Sequence, residues 1–199
     1  IDLPGTDSLY PKRADEWVAY KVLMQQDVSV KPELIVLVAD ASSLKRNLLF
    51  CSQILDLKVP VVVALSMTDI ARKNGTKISI VELQRELGVQ VVSVNPRKNK
   101  GIPELKKAIL AELDQKHFPV SRDFIDNHAL APDAIDAVRG LQSINSNYAA
   151  IHHLINHEQF DLNAAEHHGI ETIAKKYAFN ATKTQAEEIM QRYARIKHI

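Results

Sequence analysis

Three short runs of apolar residues constrain the fold of this chain more than any other feature. The runs occupy residues 34–39, 59–65 and 89–94. They are rich in β-branched residues and apolar at almost every position, which is typical of strands buried on both faces of a parallel sheet. Amphipathic stretches of helical period follow at 47–57, 80–87 and 103–113. Strand and helix alternating in this way predict an α/β fold with a doubly wound sheet.

The last third of the chain has a different pattern. After residue 131 no strand-like run occurs, and helices are predicted at 132–140, 145–156, 162–177 and 184–199. Thr184, three residues before Glu187, is a candidate capping box for the last helix. We therefore predict an α/β domain over residues 1–116 and a small all-helical domain over residues 117–199.

Composition narrows the class of function. The 199 residues carry 25 Lys and Arg against 24 Asp and Glu, a net charge of +1, so no overall attraction to nucleic acid or to an anionic membrane is expected. No apolar stretch reaches the ~18 residues that span a bilayer. The single cysteine, Cys51, lies among apolar neighbours and is predicted to be a buried, inert thiol rather than a nucleophile.

Polar residues follow each predicted strand, and a fourth polar turn opens the chain. These stretches are Asp2-Leu-Pro-Gly5, Asp40-Ala41, Ser66-Met-Thr-Asp69 and Asn95-Pro-Arg-Lys98. Taken singly, the first is an ordinary turn, and Asp40 and Asp69 are ordinary helix caps. Because ligands of open α/β sheets bind beyond the carboxyl ends of the strands, their order together predicts a nucleotide site.

The order of these stretches resembles that of translation-factor-type GTP-binding proteins and, more closely, the cytosolic domain of ferrous iron transport protein B. The similar stretches are 2–6, 40–48, 59–69, 97–102 and 192–196. The resemblance implies an incomplete P-loop-GTPase-like domain over 1–116, followed by a helical domain that leads towards the membrane-spanning region of the same parent chain. It also implies a location on the cytoplasmic face of the bacterial cytoplasmic membrane and a role as the GTP-binding regulatory part of an Fe²⁺ transporter.

The resemblance further assigns roles to individual residues. Asp2 would hold Mg²⁺ through a water, Gly5 would offer its N–H to the γ-phosphate of GTP, and residues 6–15 would form a mobile switch. Asp69 would accept hydrogen bonds from guanine N1–H and the 2-amino group, since a carboxylate offers two acceptors. The implied nucleotide-binding set is Asp2, Gly5, Ser66, Met67, Asp69, Asn95, Pro96 and Arg97, with GTP or GDP and Mg²⁺ as cofactors of the intact parent.

Three departures from the family pattern bear on activity. No G-x-x-x-x-G-K-[ST] loop occurs in these residues, so we expect the fragment not to hydrolyse GTP and name no catalytic residue. Ser66 stands where the family has Asn, and Asn95-Pro96 stands where it has Ser-Ala. Pro96 has no N–H for guanine O6, and an unpaired acceptor costs about 1–3 kcal/mol in a dry site. Weakened discrimination for guanine is therefore predicted.

The ends and edges of the chain give two further expectations. The chain begins at Ile1 rather than at methionine, so we expect residues upstream that were cut off, processed away or not included. In the family, the strand that carries the phosphate loop lies beside the strand at 34–39. Without it that edge is open, which predicts self-association or filling by upstream residues.

Other interpretations remain open. Two alternative functions are a degenerate, non-catalytic G-domain interaction module and a soluble ribosome-assembly-type GTPase, the latter disfavoured by the neutral helical tail. His153 and His157 have the i, i+4 spacing of metal ligands, but a solvated helix face is the preferred interpretation. Trp17 and Tyr20 are expected to pack the first helix beneath the switch, and Arg97, Lys98 and Lys100 to be solvated loop charges.

Overall fold

The structure, a computed structural model, describes residues 1–24, 32–114, 122–142 and 144–199. The strands are β1 (Ile35–Asp40), β2 (Val61–Ser66) and β3 (Gln90–Ser93). The helices of the first part are α1 (Ala14–Leu23), α2 (Leu44–Asp56), α3 (Thr68–Lys73), α4 (Ile80–Leu87) and α5 (Ile102–Asp114). Those of the second part are α6 (Pro132–Leu141), α7 (Asn147–Asn156), α8 (Ala164–Lys176) and α9 (Ala181–Ile196).

The three strands form one parallel sheet in the order β1-β2-β3. Helices connect consecutive strands, α2 between β1 and β2 and α4 between β2 and β3, as parallel pairing requires. The predicted α/β class is thereby confirmed. Residues 1–6, which were expected to follow a strand, form no strand in the structure.

Burial differs between the central and the edge strand. All of β2 from Val61 to Leu65 is buried, as its continuous apolar sequence predicts. In β1, however, Val36 and Val38 expose 39% and 68% of their surface, so the prediction of burial on both faces is wrong for this strand. The reason is that α5 packs against β2 and β3, and β1 is the edge of the sheet.

The last helix begins three residues earlier than its sequence suggested. Asn180 caps α9, its side chain accepting a hydrogen bond from Lys183 N at 2.9 Å. Asn caps helices as well as Thr does, and here it stands one turn upstream. Thr184 lies inside the helix and is buried, so the predicted capping box at Thr184 is wrong.

A buried polar network joins α9 to α2. The Arg192 guanidinium lies 2.9 Å from the Asp56 carboxylate and donates to the Ser52 carbonyl at 2.8 Å and to Asn127 Oδ1 at 3.2 Å. Glu188, one turn before Arg192, accepts from its Nε. Because every one of these side chains is buried, the network fixes the two halves of the molecule against each other.

Three further expectations of the sequence concern the fold. The proposed domain boundary at residues 116 and 117 lies outside the described residues, so that division stays a prediction. Within the parts of the chain that the structure describes, no helix is long and apolar enough to cross a bilayer. Cys51 is buried, as predicted, and burial raises the pKa of its thiol to about 12, which disfavours the reactive thiolate.

Candidate nucleotide site

The carboxyl ends of the three strands meet at one edge of the sheet. Asp40 at the end of β1 is level with Ser66 at the end of β2, and Leu65 is level with Ser93 at the end of β3. Ser66 Oγ donates to the carbonyl oxygen of Ala39 at 3.1 Å, so its hydroxyl hydrogen bonds towards β1. The polar stretches that follow β2 and β3 therefore emerge side by side.

Asp69 is the charged group at the centre of this edge. Asp69 lies in the first turn of α3. Met67, with a φ of 56°, turns the chain from β2 into this helix. Asp69 Oδ2 accepts from Asn95 Nδ2 at 3.4 Å and lies 3.9 Å from Lys98 Nζ. The Asp69 side chain stays 45% exposed, so its carboxylate remains open to a ligand from solvent. Sequence reasoning did not find α3, a helix of only six residues.

The loop after β3 is held by its own backbone. Asn95 and Lys100 exchange two backbone hydrogen bonds of 2.9 and 3.1 Å, and Asn95 Oδ1 accepts from Lys98 N at 3.2 Å. Gly101 closes the loop at φ +78°, where an added Cβ would lie 2.0 Å from Ser93 O. This position requires glycine. Pro96 and Arg97 are exposed, as expected for loop residues.

The amino-terminal turn holds two other predicted site residues, Asp2 and Gly5. Asp2 and Gly5 are exposed, and no hydrogen bond or ion pair among the described residues joins Asp2 to Asp69 or Asn95. A Cβ built at Gly5 would meet no atom within 4 Å. The structure thus brings together the predicted residues at 66–69 and 95–97, but it does not join Asp2 and Gly5 to them.

The segment after Gly5, the predicted switch, is hydrogen bonded to Gln53 of α2. Gln53 Oε1 accepts from Leu9 N at 2.9 Å and from Ser8 Oγ at 3.2 Å. Gln53 Nε2 donates to Glu188 Oε1 at 3.4 Å. Sequence reasoning missed Gln53, since a single polar residue within an amphipathic helix carries no signal of such a role. Tyr20 is buried against His152 and Phe160, which confirms a packing role for α1.

The histidines of the helical part do not form a metal centre in the described residues, where no group of three or more His, Cys, Asp or Glu could hold an ion. The expected solvated helix face holds only in part, because His153 is half-buried and stacked on Phe160. Its neighbour His152 is fully buried and hydrogen bonded to the Tyr20 hydroxyl at 3.1 Å. Burial lowers the pKa of His152 to about 3 and that of His153, stacked on Phe160, to about 4. His157 lies beyond the end of α7, 3.3 Å from His167.

Comparisons with known proteins identify the family that this sequence resembles. A family model described as ferrous iron transport protein B matches residues 1–109. The Fe(2+) transporter FeoB of Leptospira biflexa is 37% identical over 111 residues, and that of Escherichia coli K12 is 38% identical over 109 residues. The matches cover 56% and 55% of this chain but only 16% and 14% of those relatives. The chain therefore spans less than one fifth of either relative.

Solved structures match over almost the whole chain. The mGMPPNP-bound NFeoB from S. thermophilus is 28% identical, with a TM-score of 0.74 over 99% of this chain and 76% of that one. The cytosolic domain of the T. maritima FeoB iron transporter in its GMPPNP form is 25% identical, with a TM-score of 0.69 over 99% of this chain and 77% of that one. Both the α/β part and the helical part thus have counterparts of the same fold.

Proposed function

Because this chain belongs to the ferrous iron transport protein B family, we propose that it forms the cytosolic, guanine-nucleotide-binding regulatory part of a ferrous iron transporter. The observation that carries the proposal is the position of Asp69. It places a half-exposed carboxylate at the carboxyl edge of the sheet, where open α/β folds bind ligands. A carboxylate there can accept from both guanine N1–H and the 2-amino group, which adenine cannot match.

In this proposal Mg²⁺ binds only together with a nucleotide. Asp2 offers one exposed carboxylate, and the described residues hold no group of three ligands that could bind an ion by themselves. That suits Mg²⁺, which usually keeps several waters and is bound by one or two carboxylates plus substrate phosphates. Asp2 would contact the ion through a water, and the bound ion would neutralise charge on the phosphates.

We propose that the 199 residues alone do not hydrolyse GTP. They contain no G-x-x-x-x-G-K-[ST] loop, so the amide cradle and the phosphate-binding lysine of a P-loop are missing from them. In a chain that supplies this loop, hydrolysis would proceed by attack of water on the γ-phosphate, aided by positioning and electrostatics. Ser66 and Pro96 would weaken, without abolishing, the discrimination between guanine and adenine.

Nucleotide titration tests the proposal. GDP, a non-hydrolysable GTP analogue and ADP are titrated into the natural gene product that contains these residues and, in parallel, into the 199-residue chain. We expect the former to prefer guanine nucleotides and the latter to bind all three weakly and to release no phosphate from GTP. Equal binding of GDP and ADP by the gene product, or no binding at all, would refute the guanine-binding role.

The partners and location follow from the same proposal. The helical part would connect the nucleotide site to the membrane-spanning region of the parent protein, on the cytoplasmic face of the membrane. The second candidate, a degenerate interaction module, is favoured by two observations, the serine at position 66 and the proline at position 96. It predicts that the natural gene product, with its upstream segment present, binds GDP and the GTP analogue no better than ADP.

A further inference from the structure

A cavity of about 190 Å³ lies between the end of α4, the segment at 122–124 and the last turn of α9. None of its described lining residues belongs to the cluster around Asp69. The lining includes three arginines and three apolar side chains, which are Arg85, Arg122, Arg195, Leu55, Leu87 and Phe124. The cavity is therefore a second candidate binding site with residues of its own.

Arg195 is held in place at this cavity by neutral groups. Its Nη1 donates to the Phe124 carbonyl, and its Nη2 donates to the Glu86 carbonyl at 3.4 Å. Its Cζ also lies 4.3 Å from the centre of the Phe124 ring. These contacts orient the guanidinium without neutralising its charge, and they use only two of its five N–H donors.

The acidic side chains that line the cavity are already paired with other cations. Asp123 lies 2.7 Å from Lys58 Nζ, and Glu86 lies 3.5 Å from Arg85. Among the described residues, the other two arginines have no carboxylate within ion-pair distance. The cavity therefore carries an excess of positive charge.

Arg122 and Arg195 are close enough for their charges to interact. Burial, and then the charge of Arg122, lower the pKa of the Arg195 guanidinium, while Glu86 and Asp56 act in the opposite direction. Arg122 is exposed, and no hydrogen bond among the described residues uses its guanidinium. Two like charges without a paired carboxylate repel each other, and a bound anion would offset this repulsion.

We propose that this cavity binds a phosphate group. Guanidinium groups match phosphate oxygens with charge-assisted, often bidentate hydrogen bonds. A phosphate dianion offers more charge and more acceptors than a carboxylate, which suits two arginines that lack a carboxylate partner. The apolar lining beside them suits the carbon atoms of a phosphate ester, so the ligand class comprises inorganic phosphate and phosphate monoesters, a lipid headgroup included. The inference does not rest on the proposed function, because none of these residues belongs to the nucleotide site.

Calorimetric titration of the natural gene product in excess GDP tests the proposal, because GDP keeps added phosphate out of the nucleotide site. The probes are inorganic phosphate, a short-chain phosphatidic acid and, as a control, a phosphatidylcholine of the same chain length. We expect the first two to bind in a saturable way and the phosphatidylcholine not to bind. Tighter binding of phosphatidic acid than of phosphate identifies a lipid headgroup as the ligand, and equal or weaker binding identifies free phosphate. Binding of neither probe would overturn the proposal.

A charge variant shows whether the bound phosphate lies in this cavity. Arg122→Gln should weaken phosphate binding about tenfold or more, because it removes a charge-assisted contact, and should leave the melting temperature unchanged. Arg72→Gln, the same change at an exposed site on α3, is the matched control and should bind phosphate like the unaltered protein. If phosphate binds Arg122→Gln as tightly as the unaltered protein, the inference is wrong. Equal weakening in both variants would also contradict it, since the effect would then come from net charge alone.

Discussion

Arg192 and Asp56 form an ion pair of 2.9 Å in which neither side chain has any exposed surface. Asp56 ends α2 in the α/β part, and Arg192 lies in α9, so the pair joins the two parts of the molecule. Asp56 also accepts from Phe124 N and Asn127 Nδ2, so both of its oxygens are occupied. Removing one charge from this site leaves buried groups of the opposite charge without an ion-pair partner.

Replacing Arg192 by alanine is expected to lower the free energy of unfolding by about 3–5 kcal/mol, because it strands the buried carboxylates of Asp56 and Glu188. Urea unfolding followed by circular dichroism measures the change. Arg46→Ala, which removes an exposed ion pair with Asp7, is the control and should cost less than about 1 kcal/mol. Similar losses in the two variants would show that the buried network does not hold the two parts together.

Stability should fall as the pH is lowered below about 6.5, because His152 stays neutral when folded and becomes protonated when unfolded. Its folded pKa is depressed, so between pH 6.5 and about 3 the unfolded state binds the extra proton. At pH 5 the free energy of unfolding is expected to be lower by about 2 kcal/mol for this reason. Urea midpoints measured from pH 7.5 to 5 should drop less steeply in His152→Asn than in the unaltered protein. In His198→Asn, a substitution of an exposed histidine, they should drop as steeply as in the unaltered protein. A slope that is the same in all three proteins would contradict the assignment.

Base preference should follow the chemistry of residue 69. Asp69→Asn replaces an acceptor by a donor, so the natural gene product should lose affinity for GDP at least tenfold and gain affinity for XDP, whose base carries a 2-oxo group. Competition against a fluorescent nucleotide measures both. Asp40→Asn, a change at the end of β1 that keeps the cap oxygen used by Ser42 N, should leave the preference as it was. A parallel loss in both variants would place the effect outside base recognition.

Two glycine substitutions should separate folding from binding. Gly5→Ala introduces a methyl group that meets no atom within 4 Å, so its melting temperature should be unchanged. If Gly5 N–H contacts a γ-phosphate, the gene product should bind a GTP analogue more weakly while its GDP affinity holds. Gly101→Ala, with φ +78° and a Cβ 2.0 Å from Ser93 O, should instead melt earlier. An unaltered ratio of GTP-analogue to GDP affinity in Gly5→Ala would remove Gly5 from the site.

The open edge of β1 is expected to let the 199-residue chain self-associate. Among the described residues no strand pairs with the outer edge of β1, and Val36 and Val38 present an apolar face beside it, a surface that invites strand pairing. Sedimentation velocity over a range of concentrations should show dimers, and Val38→Lys should shift the population to monomer. Val81→Lys, on the exposed face of α4, should not. A monomer at every concentration would contradict this expectation.

The features that sequence predicted are those with a local signal. The three apolar runs form β1, β2 and β3, and α4 has the bounds that the sequence predicted, because a continuous apolar run and a helical period are properties of neighbouring residues. The contact between Asp69 and Asn95 was foreseeable because parallel strands end at one edge.

What sequence could not predict depends on pairing between distant segments. The burial of Arg192, Asp56 and Gln53 arises only when α9 packs on α2, and no pattern in either helix marks it. His152 is buried for the same reason, since its environment comes from α1 as well as from its own helix. The exposed face of β1 was missed because a continuous apolar run indicates burial and says nothing about which face has a partner.

The Gln53 side chain has one consequence for how the molecule can move. Its oxygen is held by Ser8 and Leu9 near the start of the chain, and its nitrogen by Glu188 near the end. If Ser8 and Leu9 swing away, a fully buried amide oxygen loses both donors, at a cost of about 1–3 kcal/mol unless Gln53 turns to a new partner. If the Gln53 side chain rotates to a new partner, its amide nitrogen no longer donates to Glu188. Gln53 thus couples residues 8 and 9 to α9, since a displacement of either one removes a hydrogen bond from the Gln53 amide.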